Sequence, residues 1–472
     1  MDRLLVSAPH KSSGKTTVTL GLCAAFAAAG VRVQPFKKGP DYIDPMWLAH
    51  AAGRPCLNLD SYLMDDAALV RCFAGGLRSA ELALVEGNKG LHDGMALDGR
   101  NSNAALARRL DLPVLLVVDS RGMTRGIAPL LLGFQAFERD IRIGGVILNR
   151  VGGARHEGKL RAAIEHYTDI PVLGAVAEDA RLAMTERHLG LVTCGEVDDA
   201  GMRVRAMGRI IGQQVDLDAV RAVAAVAGPG IAAAAHGPAR RADVRIAIAR
   251  DRAFAFYYPD DLAALEAAGA QLVPFDSLRD TRLPRADGLF IGGGFPETCM
   301  AELEANVSLR SAVREAIEAG LPAYAECGGL MYMARSVHWR GYTARMAGVI
   351  PGDAVMQQRP VGRGYVHLQE TAAMPWPAVP GAAATPRVVM GHEFHHSSLE
   401  NLAPGVAFAY RVTRGHGVDG RHDGVRVHNL LASYTHLRQG AGSQWATRFV
   451  AYVRACRAAR AQRPQADLVP SE

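Results

Sequence analysis

Cysteine is scarce in this chain, and no two cysteines are spaced C-x-x-C. The seven stand singly at 23, 56, 72, 194, 299, 327 and 456. That argues against a disulfide framework and suits a reducing cytoplasm. Long apolar runs are also missing. No stretch of eighteen or more apolar residues is free of charge, so no membrane span is expected. The opening MDRLLVSAPHKSSGK passes from a short apolar segment straight into a glycine-lysine loop. It lacks a small-residue cleavage site, so it does not read as a signal peptide. Blocks of one charge are absent as well. The formal net charge is +6, but the arginines are spread along the chain. The mild cluster from Arg454 to Arg463 reads as a solvated helix end, not a nucleic-acid arm. A basic surface would equally suit an anionic small substrate.

What is present is ordinary globular material. Hydrophobic residues make up 49% and charged residues 21% of the 472, so two or three soluble domains are expected. Up to about residue 200, apolar runs alternate with helical stretches. Strands buried on both faces are read at 4–8, 32–36, 83–86, 114–119 and 144–149, and one more at 171–176. Helices are read at 16–29 and 103–110. This is the alternation of a doubly wound parallel sheet. The Ala/Gly/Pro-rich stretch from Ala222 reads as a linker. A second α/β pattern begins at Arg245–Ala249, with further strands at 288–291 and 322–325. The expected division is 1–221, linker 222–243, 244–455, and a tail 456–472.

Gly391-His392-Glu393-Phe394-His395-His396-Ser397 satisfies H-E-x-x-H, a two-histidine zinc signature. The signature works only when both histidines lie one turn apart on a helix. Here Pro386 and a β-type run precede it, and serines, Asn401 and Pro404-Gly405 follow. A polar strand-to-loop segment is expected instead, with no zinc.

The loop Pro9-His10-Lys11-Ser12-Ser13-Gly14-Lys15-Thr16-Thr17 follows a strand and opens a helix. It keeps the G-K-[ST] of a phosphate loop, with Pro9 where the first glycine belongs. Gly14, Lys15, Thr16 and Thr17 are the candidate nucleotide-binding residues. Backbone N–H groups would cradle phosphates, Lys15 would reach the outer ones, and Thr16 would help hold Mg²⁺. Glu86 ends a strand, where ligands bind in open parallel sheets, and is a candidate Mg²⁺ or substrate group. Lys37, Lys38, Asp41 and Asp44 crowd a second strand end.

Tyr324-Ala325-Glu326-Cys327-Gly328-Gly329-Leu330 has the shape of a strand-nucleophile-helix elbow, with Cys327 as nucleophile. Gly292-Gly293-Gly294 offers bare amides for an oxyanion hole. His436, in Ser433-Tyr434-Thr435-His436, is the general-base candidate. Whether Cys327 and His436 meet is not readable from sequence.

Together these stretches resemble the cobyrinate a,c-diamide synthase family over nearly the whole chain. The matching words are SGKTTVTLGL, KKGPDYIDP, VEG with the following Asp93-Gly94, FIGGGFPE, AECGGLMY, GHEFHHS and ASYTHLR. The resemblance implies a dethiobiotin synthetase-like P-loop domain joined to a class I glutamine amidotransferase-like domain. It implies a glutamine-hydrolysing carbon–nitrogen ligase that uses ATP, Mg²⁺ and L-glutamine. Its substrate would be an anionic tetrapyrrole, amidated in cobalamin biosynthesis. By the same resemblance Cys327 and His436 are the glutaminase pair. Gly292, Gly293, Gly294 and Gly328 serve the oxyanion and glutamine, and GHEFHHS belongs to the glutaminase domain. Lys15, Thr16 and Glu86 serve ATP and Mg²⁺, with Asn149 toward the adenine. Lys37, Asp41, Tyr42 and Asp44 serve the substrate and its intermediate. Many class I relatives carry a glutamate two residues after the histidine; here that position is Arg438. A homodimer is compatible with the resemblance; nucleic acid and membrane are not implied partners. Pro45-Met46-Trp47-Leu48 and His92 depart from the family's usual wording, which raises sirohaem or nickel-sirohydrochlorin as alternative substrates. A partition-type P-loop ATPase is the rival from another class, since Lys11 resembles its extra lysine.

Overall fold

The computed structural model describes residues 1–187, 190–225, 240–378, 387–440 and 442–462. It divides into two units, Met1–Ala235 and His236–Glu472.

In the first unit seven strands make one sheet: β1 Asp2–Ser7, β2 Val33–Lys38, β3 Leu57–Leu59, β4 Leu82–Glu86, β5 Val114–Asp119, β6 Ile143–Val151 and β7 Val172–Ala177. The order is β3-β2-β4-β1-β5-β6-β7, and every pairing is parallel. The central strands are near-continuous apolar runs because helices cover both faces. Leu4, Leu5, Leu84, Val85, Leu115 and Leu116 are fully buried. Helix α1, Lys15–Ala28, follows β1 directly and α2, Ile43–Ala52, follows β2. Crossovers from β1 run one way to β2 and β3, then return to β4 and continue to β5. The carboxyl ends of β1, β2 and β4 therefore lie side by side where the order reverses, the usual ligand crevice of such sheets. The short β3 was not apparent in the sequence, since three residues carry no periodicity.

The second unit is built on a ten-stranded sheet. Strands Ala270–Phe275, Val244–Ala249, Gly288–Ile291, Ala323–Glu326 and Leu430–Ser433 are neighbours in that order and parallel. Beyond them His422–Val427, Ala407–Arg414, Gly362–Glu370, Val388–His395 and His436–Leu437 continue antiparallel. A four-stranded sheet lies beside it, holding Tyr342–Arg345, Ala334–Trp339, Ile350–Met356 and Ser397–Glu400.

Some sequence expectations shift. Ala222–Ala225 is not linker but the end of a helix, Leu217–Ala225, because Val220 and Ala224 pack inward. The rest of that stretch up to residue 239 lies outside the described residues. The tail expected from 456 is helical through Ala461, as part of Trp445–Ala461. The first arginine of the Arg454–Arg463 cluster is not simply solvated: Arg454 binds both oxygens of Asp243, at 2.6 and 2.8 Å. Residues 463–472 lie outside the described ones. The H-E-x-x-H segment is extended chain, Val388–His395 followed by Ser397–Glu400, so its histidines do not share a helix face.

Candidate active sites

The loop after β1 turns into α1 through Ser12 at φ 66° and Gly14 at φ 92°. A Cβ on Gly14 would stand 2.0 Å from Asn149 Nδ2. That amide donates instead to the Ser13 carbonyl at 2.9 Å, bracing the loop from the end of β6. Asn149 thus touches the phosphate loop itself. Lys15 is buried beside it and reaches the His10 carbonyl at 3.5 Å. Burial first, then the charge of Lys37, lowers its ammonium to about 8.

Four side chains from β2, α1, α2 and β4 converge next to Lys15. Lys37 Nζ lies 2.5 Å from Asp44 Oδ2 and 2.9 Å from Glu86 Oε1. The Thr16 hydroxyl donates to Glu86 Oε1 at 2.6 Å. Burial works against the Lys37 charge, yet Asp44 and Glu86 hold its ammonium above the ordinary value. Glu86 is fully buried, which raises its carboxyl, with Lys37 opposing. Its second oxygen, Oε2, is buried without a hydrogen-bond partner. Asp41 stands just before α2, and Asp44 and Pro45 occupy its first turn. Asp41 Oδ1 caps that turn, accepting from Ile43 N at 2.9 Å and Asp44 N at 3.1 Å. Burial first, then Asp44, raises Asp41 to about 7. Tyr42 is buried at the same helix entry. Asn58 pins the preceding turn by donating to the Gly39 and Asp41 carbonyls, a role no sequence word announced.

Thr16, Asp44 and Glu86 offer hard oxygen donors, the kind Mg²⁺ takes, and Glu86 Oε2 is an open acceptor among them. Among the described residues no three His, Cys, Asp or Glu side chains form a metal cage. A cation held by Thr16 and Glu86 would draw its remaining ligands from phosphate and water, as Mg²⁺ usually does at nucleotide sites. Of the two unusual words, Trp47 is buried with its indole N–H on the Val192 carbonyl, and so belongs to the core. His92 lies 3.3 Å from Glu138 and against the rings of Phe134 and Phe137.

In the second unit the strand Ala323–Glu326 ends at Cys327, whose φ is 48° and ψ −99°. This strained turn presents a side chain at the strand end, as in nucleophile elbows. The turn closes only on glycines. A Cβ on Gly329 would lie 2.3 Å from the Ile291 carbonyl oxygen, and one on Gly328 3.0 Å from Gly294 N. Gly292–Gly294 is therefore pressed against the elbow. The Gly292 N–H is already bonded to Tyr257 Oη at 2.9 Å. A Cβ on Gly293 would meet His436 Cε1 at 2.5 Å. His436 and Cys327 are hydrogen-bonded, although 109 residues separate them. Burial would lower His436, but its bonds to Cys327 and Glu326 push it up to about 10. His392 is paired opposite His436 on the neighbouring strand, and their rings stack at 5.7 Å. Burial, then the charge of His436, lowers His392 to about 3, so it is neutral. Glu326 is the residue that sequence reasoning missed: its Oε2 lies 3.3 Å from His436 Nδ1. Its position directly before Cys327, the nucleophile candidate, was the available signal. Arg438 turns elsewhere, to Asp260 at 2.5 Å and over the Tyr258 ring at 4.3 Å.

Residues 5–192 match the CobQ/CobB/MinD/ParA nucleotide binding domain, and residues 245–442 the CobB/CobQ-like glutamine amidotransferase domain. A cobyrinate a,c-diamide synthase of Magnetococcus marinus is 46% identical, covering 94% of this chain and 96% of its own. The chain belongs to the cobyrinate a,c-diamide synthase family. Members from Methanosarcina acetivorans and Listeria monocytogenes are each 38% identical; they cover 98% and 93% of this chain, and 97% and 96% of their own. As a cobyrinate a,c-diamide synthase family member, the protein is a glutamine-hydrolysing carbon–nitrogen ligase with a nucleotide-binding P-loop unit and an amidotransferase unit. Among its described residues no helix is long and apolar enough to cross a membrane.

Proposed function

We propose that the protein amidates the a and c acetate side chains of cobyrinate, or a close corrinoid precursor, in cobalamin biosynthesis. The nitrogen is ammonia from glutamine, and the carboxylate is activated by ATP as an acyl phosphate. The observation that carries this reading is the presence, in one chain with full-length relatives of that name, of both a phosphate loop with an acid–lysine cluster and a paired Cys327–His436.

In the glutaminase half, a thiolate at Cys327 attacks the side-chain amide carbon of glutamine. His436 holds the proton beside it and gives it to the departing nitrogen, so ammonia leaves and a thioester remains. The amides of Gly293, Gly294 and Gly328 border the elbow and would receive the oxyanion. Water then releases glutamate and restores the thiol. In the synthetase half, a substrate carboxylate takes the terminal phosphoryl group. Lys15 would hold that phosphate, and Thr16 and Glu86 would hold Mg²⁺, which neutralises phosphate charge when bound. Lys37, fixed between Asp44 and Glu86, offers a positive charge to the acyl phosphate. Ammonia attacks its carbonyl and phosphate departs. The test is mass spectrometry of products from a tetrapyrrole panel with ATP and glutamine. Two amides added to cobyrinate are expected; turnover of sirohaem or nickel-sirohydrochlorin in its place would overturn the substrate assignment.

A further inference from the structure

The glutaminase pair needs something to orient the imidazole, and Arg438 cannot, being committed to Asp260 and Tyr258. We propose that Glu326 is the positioning residue of this glutaminase, a third member supplied from immediately before the nucleophile. The inference rests on Cys327 being that nucleophile.

The local chain explains how a neighbour can do this. Along the strand Ala323–Glu326, side chains alternate, so Tyr324 and Glu326 share one face. At Cys327 the backbone turns to φ 48°, which directs the thiol away from the strand's own alternation. Glu326 and Cys327 can then approach one imidazole ring from two sides. Glu326 ends level with Ser433 on the adjacent strand, three residues before His436. Its Oε2 is 3.3 Å from His436 Nδ1, which leaves Nε2 for Cys327.

The carboxylate is itself held. Its Oε1 accepts from the Tyr324 hydroxyl at 2.6 Å and from the Leu437 N–H at 3.0 Å. Glu326 is 3% exposed and His436 3%. Two donors on one oxygen fix the carboxylate plane and aim the other oxygen at the ring. A buried acceptor on Nδ1 keeps the proton there in the neutral ring and stabilises the imidazolium once Nε2 is also protonated. Titratable groups facing the ring are Cys327, Glu326 and His392, with Tyr324 beyond Glu326. Glu326 is the one placed to carry negative charge to Nδ1.

Glu326→Gln keeps the shape and removes the charge. An amide N–H facing Nδ1 makes that nitrogen the acceptor and moves the proton to the wrong side. Glutamine-dependent kcat should fall on the order of a hundredfold or more, by analogy with the wrong-tautomer effect in serine hydrolases. The alkaline limb of the glutaminase pH profile, set by His436 losing its proton, should move to lower pH. Glu326→Asp keeps the charge and should return the limb toward the wild-type position. Ammonia-driven amidation, which bypasses Cys327, is the folding control. If the Gln and Asp variants lose rate equally with the limb unmoved, Glu326 is structural and the proposal is overturned. Where Glu326→Gln does not fold, ¹⁵N shifts of histidine-labelled wild-type protein decide: a protonated Nδ1 on His436 supports the proposal, and a bare Nδ1 sinks it. Glutamine turnover surviving in Cys327→Ala would instead defeat the underlying assignment of the nucleophile.

Discussion

Lys15 carries the clearest consequence of a single residue's surroundings. Burial and the nearby Lys37 lower its ammonium to about 8. Without ligand it is half-neutral near pH 8 and charged below. Phosphate oxygens favour the charged form, so binding nucleotide raises this value. Proton uptake on binding is therefore expected near pH 8, and affinity should weaken as pH rises above that. Calorimetry of ATP binding in buffers of different ionisation enthalpy measures the uptake directly. Identical apparent enthalpies in all of them near pH 8 would show that Lys15 does not titrate there. The same desolvation acts in the same direction at His392, where burial, then the charge of His436, holds the ring neutral.

At the scale of elements, two short segments matter. Helix α2 starts at Ile43, so Asp44 stands in its first turn, pinned to Lys37 while Asp41 caps the turn. Asp44→Asn removes a charge from a preorganised cluster without removing its bulk. Amidation should fall at least about a hundredfold, the size seen when one positioned electrostatic group is lost, while glutamine hydrolysis at Cys327 persists. Wild-type amidation by this variant would make the acid pair merely structural. The second segment is Val388–His395. Its extended backbone denies His392 and His396 a common helix face, and pairs His392 with His436 instead. Elemental analysis of purified protein should find no stoichiometric zinc. About one tightly held zinc per chain, lost with His392→Ala or His396→Ala, would contradict this.

For the whole molecule, the two chemistries lie in two units of one chain. They should therefore separate genetically. Cys327→Ala is expected to abolish glutamine-dependent amidation and leave turnover with high ammonia, since the thiol only supplies nitrogen. Lys15→Ala should block amidation from either nitrogen source, because phosphoryl transfer is common to both routes. Both are read by product formation with glutamine or ammonium salt. A folded Cys327→Ala protein inactive with ammonia, or a Lys15→Ala protein active with it, would break the two-site scheme. Nothing of this kind is expected of a partition-type ATPase, which has no need of a paired thiol and imidazole.

The sequence by itself determined what depends on neighbours along the chain. A buried parallel strand reads as an apolar run, and β5 appears at 114–119 as expected. A loop that must bare its amides needs small residues in order, so the strand-to-helix turns at Gly14-Lys15-Thr16 and Cys327-Gly328-Gly329 were legible. The antiparallel half of the second sheet was mostly not, because its strands alternate weakly and pair with partners far away. Tertiary structure alone decided which charges meet. Lys37 and Glu86 are joined because β2 and β4 are adjacent in parallel register, Lys37 opposite Glu86. Glu326 reaches a ring 110 residues away because its strand lies beside Leu430–Ser433. Arg438, read in sequence as the vacancy of a third member, is a buried cation with its own partners. Side-chain convergence depends on sheet register and strand order, and neither is written in the spacing of residues along the chain.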